Sequence, residues 1–147
     1  RGINEPVATF SPCYGGPFLT LHPLIYAELL KEKIEKYKVN VYLVNTGWIG
    51  GSPSSGAKRI SIKNTRAMID SILDGNIEHS KFKTDPIFGL EIPLSLGNIS
   101  SDVLDPRQSW EDKLLYDAGA KELSGLFKEN FLKFGNQVSY LKQFGPK

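Results

Sequence analysis

The chain has 147 residues, a length that fits one domain of ordinary size, and its apolar share of 40% allows a sizeable core. A formal net charge of +2 is too small to indicate nucleic acid or an anionic membrane as a partner. The single cysteine, Cys13, excludes an internal disulfide and favours a reducing compartment. No apolar run approaches the roughly 20 residues of a membrane helix, and no signal peptide opens the chain. We therefore expect a cytoplasmic protein with neither nucleic acid nor membrane as a partner.

The first third of the chain predicts a loop, a helix and a strand. Prolines and glycines interrupt residues 1–22, and the chain opens on Arg1 rather than Met, as a mid-chain loop would. We expect the natural product to extend further at its N-terminus, with processing as the alternative explanation for the start at Arg1. Pro23 suits a first helical turn, and apolar residues at helical spacing predict an amphipathic helix that ends near Lys38. The β-branched, nearly continuous apolar run at residues 39–45 predicts a buried strand.

The middle of the chain predicts a glycine-rich loop followed by a second helix. Glycine and serine dominate residues 46–59, and residues 60–62 alternate like a brief strand. Asn64 is a plausible N-cap for a helix with an apolar side, and Gly75 stands where a left-handed C-terminal residue belongs.

The last third predicts one more strand and a long helix. A strand is expected near residues 88–92, and residues 93–108 are expected to form a loop. Ser109 followed by Asp112 resembles a capping arrangement for a helix that runs to about Phe134, with Gly119 and Gly125 as weak points, and a terminal helical turn is expected around residues 138–144. The mixture predicts an α/β fold of the mixed α+β kind, with helices flanking a mixed sheet.

Residues 46–66 have features of a phosphate or nucleotide site. Glycines allow backbone amides to approach a ligand, Lys58 and Arg59 supply positive charge, and Thr65 offers a hydroxyl near the start of a helix. The segment lacks the Gly-Lys-Ser/Thr ending of a Walker A motif, and on composition alone a flexible connector is the better explanation. The two histidines, His22 and His79, are not at ligand spacing, so no metal site is predicted.

Two ordered stretches give a more specific indication. Residues 43–48 (LVNTGW) and 58–67 (KRISIKNTRA) are similar to the late nucleotide-contacting region of ATP-dependent phosphoenolpyruvate carboxykinases. Residues 1–6, 9–13, 21–23 and 104–107 also resemble family segments in family order, so that the resemblance covers roughly residues 1–134.

The resemblance implies an activity, its cofactors and a set of site residues. Family members convert oxaloacetate and ATP to phosphoenolpyruvate, CO₂ and ADP with Mg²⁺ and Mn²⁺, a step of gluconeogenesis that combines lyase and kinase chemistry. By this resemblance Arg1 faces the nucleotide phosphates and the substrate as a catalytic group. Arg59 and Ile60 hold the adenine side of ATP, by a planar guanidinium and by backbone, and Thr65 adds a hydroxyl.

The resemblance also implies an incomplete site. The loop before Arg59 is longer than in compact bacterial members, with residues 52–55 inserted. The family's phosphate-binding loop and its metal ligands belong upstream of Arg1, so we expect the 147 residues to form one C-terminal domain fragment (1–22 looped, 23–92 nucleotide-contacting, 93–147 loop and helices). Its partner is the upstream part of the same enzyme, and alone it is expected to be inactive. A non-catalytic nucleotide-binding module and a structural domain remain the alternatives.

Overall fold

A computed structural model of the chain describes residues 9–10 and 16–147. The contacts divide the chain into two compact units, Arg1–Leu43 and Val44–Lys147. Arg1, Cys13 and most of the predicted looped segment lie outside the described residues.

The first unit contains one long helix. After a short 3₁₀ turn at Gly16–Phe18, helix α1 spans Pro23–Tyr37, as predicted from its apolar spacing. His22 caps it, because the His22 Nδ1 accepts a hydrogen bond from the Leu24 amide at 3.2 Å. Lys38 adopts the left-handed conformation (φ 51°) that ends the helix. None of the helix residues is buried, so its apolar face is open in this unit.

The predicted strand at residues 39–45 is wrong. These residues are irregular, and three of their apolar side chains, Val39, Val41 and Leu43, are exposed, with Val41 at 64% and Leu43 at 80%. A strand exists only where its backbone groups pair with a neighbour, and no strand of the described residues pairs with this run. Its apolar, β-branched composition is therefore not enough to make it a strand.

The second unit contains two antiparallel ribbons. Strand β1 (Trp48–Ile49) pairs with β2 (Lys58–Arg59), and β3 (Phe82–Thr84) pairs with β4 (Glu91–Pro93). The α/β class is confirmed, but the predicted mixed sheet is not formed within residues 9–10 and 16–147. Each ribbon closes through a short loop, which allows antiparallel pairing, whereas a parallel pair needs a longer crossover. The strand predicted near residues 88–92 corresponds to β4, which begins later in the chain, at Glu91.

Helix α2 (Ile62–Leu73) follows the first ribbon directly. Its N-cap is Ser61, not the predicted Asn64, because Ser61 is extended and its Oγ accepts from the Asn64 amide at 3.1 Å. The strand-like alternation at residues 60–62 is consequently the start of a helix. Gly75 is left-handed (φ 72°), as predicted, and a 3₁₀ turn spans Asn76–His79.

Three helices follow the second ribbon. The predicted loop at residues 93–108 contains the one-turn helices α3 (Ser101–Leu104) and α4 (Pro106–Ser109). Helix α5 spans Lys113–Phe131 without a break at its glycines, and a nine-residue 3₁₀ segment, Asn136–Phe144, lies where the terminal turn was predicted. Asp112 caps α5 in place of the predicted Ser109, since its Oδ1 accepts from the Leu114 amide at 2.8 Å.

The described core is small and lies in the second unit. Seven apolar residues are buried: Ile60, Met68, Ile77, Leu96, Ile99, Ala120 and Val138. Among them are Ile60, which follows the first ribbon directly, Met68 of helix α2 and Ala120 of α5. In the described part of the chain, no helix is both long enough and apolar enough to cross a membrane.

Candidate functional site

The predicted nucleotide segment forms the first ribbon and the start of helix α2. In the register of the ribbon Trp48 lies opposite Arg59, and Ile49 lies opposite Lys58. Asn45 supports the start of the ribbon, since its Oδ1 accepts from the Gly47 amide at 2.8 Å. The structure therefore brings Arg59, Ile60 and Thr65 onto one continuous ribbon–helix segment.

The Arg59 guanidinium is oriented by two contacts. Its Cζ lies 5.5 Å from the centroid of the Trp48 ring, and its Nε donates to the Thr46 carbonyl at 3.2 Å. Within the described residues, neither Arg59 nor Lys58 forms an ion pair, and both are exposed. The terminal nitrogens of Arg59 thus present an unneutralised positive charge to solvent beside a half-open aromatic ring.

Ile60 is buried, and its backbone amide is already hydrogen-bonded within the fold. Its side chain is buried, with 6% of the residue exposed, and its amide donates to the Gly47 carbonyl at 2.9 Å. Since the amide is already bonded, its carbonyl is the group that an incoming donor would meet. Burial of Ile60 fixes the position of the neighbouring Arg59.

Thr65 lies just after the first turn of α2. Its amide donates to the Ser61 carbonyl at 3.0 Å, and the residue is half-buried. The Thr65 hydroxyl makes no hydrogen bond to any residue in the described ranges. An available hydroxyl close to a helix N-terminus suits a polar or anionic ligand group.

The glycine-rich loop is a folded turn. It contains a 3₁₀ turn, Pro53–Ser55, in which the Ser55 Oγ donates to the Ser52 carbonyl at 2.8 Å. Gly51 has a φ of 150°, which other residues rarely adopt, and a Cβ there would meet the Ser55 Oγ at 2.3 Å, so the position favours glycine. The loop geometry, which the sequence did not reveal, is set by these internal contacts.

The loop is also held from outside by helix α4. The Gly50 amide donates to the Ser109 Oγ at 3.1 Å, and Gly50 is left-handed (φ 83°). A Cβ on Gly50 would lie 3.0 Å from the Ser109 carbonyl oxygen. Sequence reasoning assigned Ser109 to a helix cap and missed this contact, because the two residues are 59 positions apart.

Two ion pairs brace helix α4 itself. Asp105 is buried, accepts from the Arg107 amide at 3.1 Å and forms an ion pair with Lys83 on β3. Arg107 grips Asp117 of α5 with two bonds, from Nε at 2.8 Å and from Nη2 at 2.9 Å. These bonds lower the pKa of Asp117 and raise that of Arg107. Both charges of this pair are therefore neutralised within the fold.

A tyrosine lies next to this brace. Tyr116 packs edge-on against Trp110, with ring centroids 5.9 Å apart. Burial raises the pKa of Tyr116, and the carboxylates of Asp85 and Asp105 raise it further.

Other features of the second unit do not join the site. A shallow depression of about 210 Å³ is lined by Ser71, His79 and their neighbours, and it includes none of the predicted site residues. Outside the undescribed residues 1–8 and 11–15, no three His, Cys, Asp or Glu side chains converge as a metal site would require. Arg1 lies outside the described residues, so its predicted role at the phosphates stays a prediction.

Comparisons with known proteins point to one family. The family model described as "Phosphoenolpyruvate carboxykinase" matches residues 1–102. The chain is 51% identical over 150 residues to the "Phosphoenolpyruvate carboxykinase (ATP)" of Sulfurimonas denitrificans and 50% identical over 147 residues to that of Caldanaerobacter subterraneus subsp. tengcongensis. It is 48% identical over 146 residues to the "Phosphoenolpyruvate carboxykinase (ATP) 2" of Moorella thermoacetica. These matches cover 99–100% of this chain, which spans 28% of the length of each of these relatives.

Proposed function

The chain belongs to the phosphoenolpyruvate carboxykinase family, and we propose that it is a C-terminal domain fragment that supplies the adenine side of the ATP site in an ATP-dependent member. The whole enzyme would convert oxaloacetate and ATP to phosphoenolpyruvate, CO₂ and ADP in gluconeogenesis. We place it in the cytoplasm, on its single cysteine and its family. The relatives' names give no support to a non-catalytic or purely structural domain.

The observation that carries this proposal is the state of Arg59. Its guanidinium is exposed, is held over Trp48 and at the Thr46 carbonyl, and has no carboxylate partner among the described residues. A planar guanidinium can stack on a nucleobase with one face while its other face lies toward Trp48. Arg59 is therefore the group proposed to contact the adenine ring.

Ile60 and Thr65 complete the adenine side. The Ile60 amide is bonded to Gly47, which leaves its carbonyl to accept from the amino group of adenine. The Thr65 hydroxyl, near the N-terminus of α2, is placed to bond a polar group of the same nucleotide. Since phosphoryl transfer depends mainly on positioning and charge, these residues act by fixing ATP rather than by chemistry of their own.

The phosphate side is proposed to draw on other groups. Arg1 is proposed to face the phosphates and the substrate, where a guanidinium fork suits anionic oxygens. Mg²⁺ and Mn²⁺ would neutralise phosphate charge in the whole enzyme. The described residues hold no cluster of three metal-ligating side chains, so we assign no metal-dependent step to them. We expect the purified 147-residue chain to show no turnover, and robust turnover would contradict that assignment.

Kinetics of the complete enzyme carrying these residues test the proposal. Arg59→Ala should raise the KM for ATP about 10- to 100-fold, because an interaction of about 1.5–3 kcal/mol is lost. The KM for oxaloacetate should stay within about 2-fold. Arg66→Ala is the matched control, since Arg66 is an exposed arginine on the same segment with no proposed role. Equal KM values for ATP in the wild type and Arg59→Ala would overturn the proposal.

A further inference from the structure

We propose that Ser109 is a positioning residue for the nucleotide: its hydroxyl holds the Gly50 amide and thereby fixes the ribbon that presents Trp48 and Arg59. This inference rests on the proposed function of Arg59. It assigns a role in ATP binding to a side chain of helix α4, which lies 59 residues after Gly50 in the sequence.

The Ser109 hydroxyl is oriented for this role. It donates its one hydrogen to the Pro106 carbonyl at 2.6 Å, so that only its lone pairs remain for the Gly50 amide at 3.1 Å. In the part of the chain that the structure describes, this is the only side-chain hydrogen bond that joins residues 50–57 to another element. The loop therefore depends on Ser109 for its external anchor.

The backbone of Gly50 is fitted to the same contact. Gly50 takes a left-handed conformation that favours glycine, and a Cβ there would approach the Ser109 carbonyl oxygen to 3.0 Å. Loop and helix thus meet backbone to backbone, with no room for a side chain between them. A side chain at position 50 would push the loop away from α4.

Helix α4, which carries Ser109, is tied to neighbouring elements. Helix α4 has a single turn and would be unstable alone. Asp105 caps it and pairs with Lys83, and Arg107 ties it to Asp117 of α5. Through its hydrogen bond to Ser109, Gly50 is tied to this helix. Gly50 follows β1 directly and lies two residues after Trp48.

The consequence falls on ATP rather than on catalytic groups. Trp48 is one of the two contacts that orient the Arg59 guanidinium, so a looser β1 lets that guanidinium sample more orientations. Binding then requires more ordering, which weakens the affinity for ATP. No group that touches ATP is removed, so the effect should be smaller than that of losing Arg59.

The test compares variants in the complete enzyme. Ser109→Ala should raise the KM for ATP about 3- to 10-fold and leave the KM for oxaloacetate within about 2-fold, as expected for the loss of one hydrogen bond. Ser109→Thr keeps the hydroxyl and should restore the KM for ATP to within about 2-fold of the wild type. Ser101→Ala, at an exposed serine of α3, is the matched control. An unchanged KM for ATP in Ser109→Ala would overturn the inference.

A double-mutant cycle separates positioning from general damage. Because Ser109 acts through Arg59, Ser109→Ala should raise the KM for ATP no further in an Arg59→Ala background, whereas additive effects would contradict the inference. If Ser109→Ala does not fold, Gly50→Ala probes the same contact from the loop and should raise the KM for ATP, while no change would overturn the inference. If Arg59→Ala alone leaves ATP binding intact, the proposed function fails. If Arg59→Ala weakens it and Ser109→Ala does not, only the positioning role fails.

Discussion

Two arginines of the second unit are used in opposite ways. Arg107 is gripped by both oxygens of Asp117, at 2.8 and 2.9 Å, within the brace around α4. Arg59, on the ribbon, is held only by a carbonyl and an aromatic ring, and the described residues give it no carboxylate. A neutralised guanidinium stabilises a fold, whereas an oriented but unneutralised one is ready for a ligand. The comparison locates the candidate site on the ribbon and its support behind it.

Arg107→Ala should lower the stability of the fold more than Arg59→Ala does. This is the largest difference in stability that we expect. Arg107→Ala removes both bonds to Asp117, a half-exposed pair that solvent partly screens, so the complete enzyme should unfold at a lower temperature. Arg59→Ala removes only exposed contacts and should change the free energy of unfolding by less than about 1 kcal/mol. Thermal unfolding of both variants checks this. A larger loss of stability from Arg59→Ala than from Arg107→Ala would contradict the structural role assigned to Arg107.

The pH dependence of stability gives a second, smaller test. The bonds from Arg107 lower the pKa of Asp117 below the ordinary aspartate value of roughly 3.9. The ionised carboxylate therefore stabilises the fold above that pH, and its contribution is lost as the pH falls through the folded-state pKa. The difference in unfolding temperature between the wild type and Asp117→Asn should be constant above about pH 5 and shrink below about pH 4.

An exposed carboxylate provides the control for that measurement. Asp70 lies on the surface of α2 and forms no ion pair within the described residues. Asp70→Asn therefore supplies the baseline for removing a carboxylate that no cation grips, and the Asp117→Asn difference is compared with it. A difference for Asp117→Asn that persists unchanged down to pH 3 would show that its pairing with Arg107 contributes nothing.

The smallest effect concerns the N-cap that places Thr65. Ser61→Ala removes the acceptor for the Asn64 amide and should cost about 1 kcal/mol of stability. Asn64→Ala, at the residue that the sequence suggested as the cap, should cost less. Denaturant unfolding of the two variants decides between the caps, and the reverse order would favour Asn64.

Local patterns predicted the helices well and the contacts between distant residues poorly. Apolar spacing was sufficient for α1, α2 and α5, since a helix satisfies its own backbone. The same kind of pattern failed at residues 39–45, because a strand also needs a partner, which composition does not reveal. Ser61 and Asn64 are both polar residues that could cap the helix. The backbone angles, which the sequence does not give, show that Ser61 is the extended residue and therefore the cap.

The candidate site divides in the same way. The charge of Arg59 and the hydroxyl of Thr65 were candidates from residue type alone, whereas Ile60 and the assignment of all three residues to the adenine side came from the family resemblance. Ser109 and Gly50 are 59 residues apart, and the bonds from Arg107 to Asp117 span 10 residues and two helices. No local rule connects such pairs, so that the support of the ribbon became visible only in the structure.

Binding of ATP and of inorganic tripolyphosphate to the complete enzyme distinguishes a residue on the adenine side of the site from one on the phosphate side. Tripolyphosphate lacks the adenosine group, so a residue on the adenine side should not affect its binding. We predict that Arg59→Ala weakens ATP binding about 10-fold or more and leaves tripolyphosphate binding within about 2-fold, as measured by calorimetric titration. Equal weakening of both ligands, or of neither, would contradict the assignment of Arg59 to the adenine side.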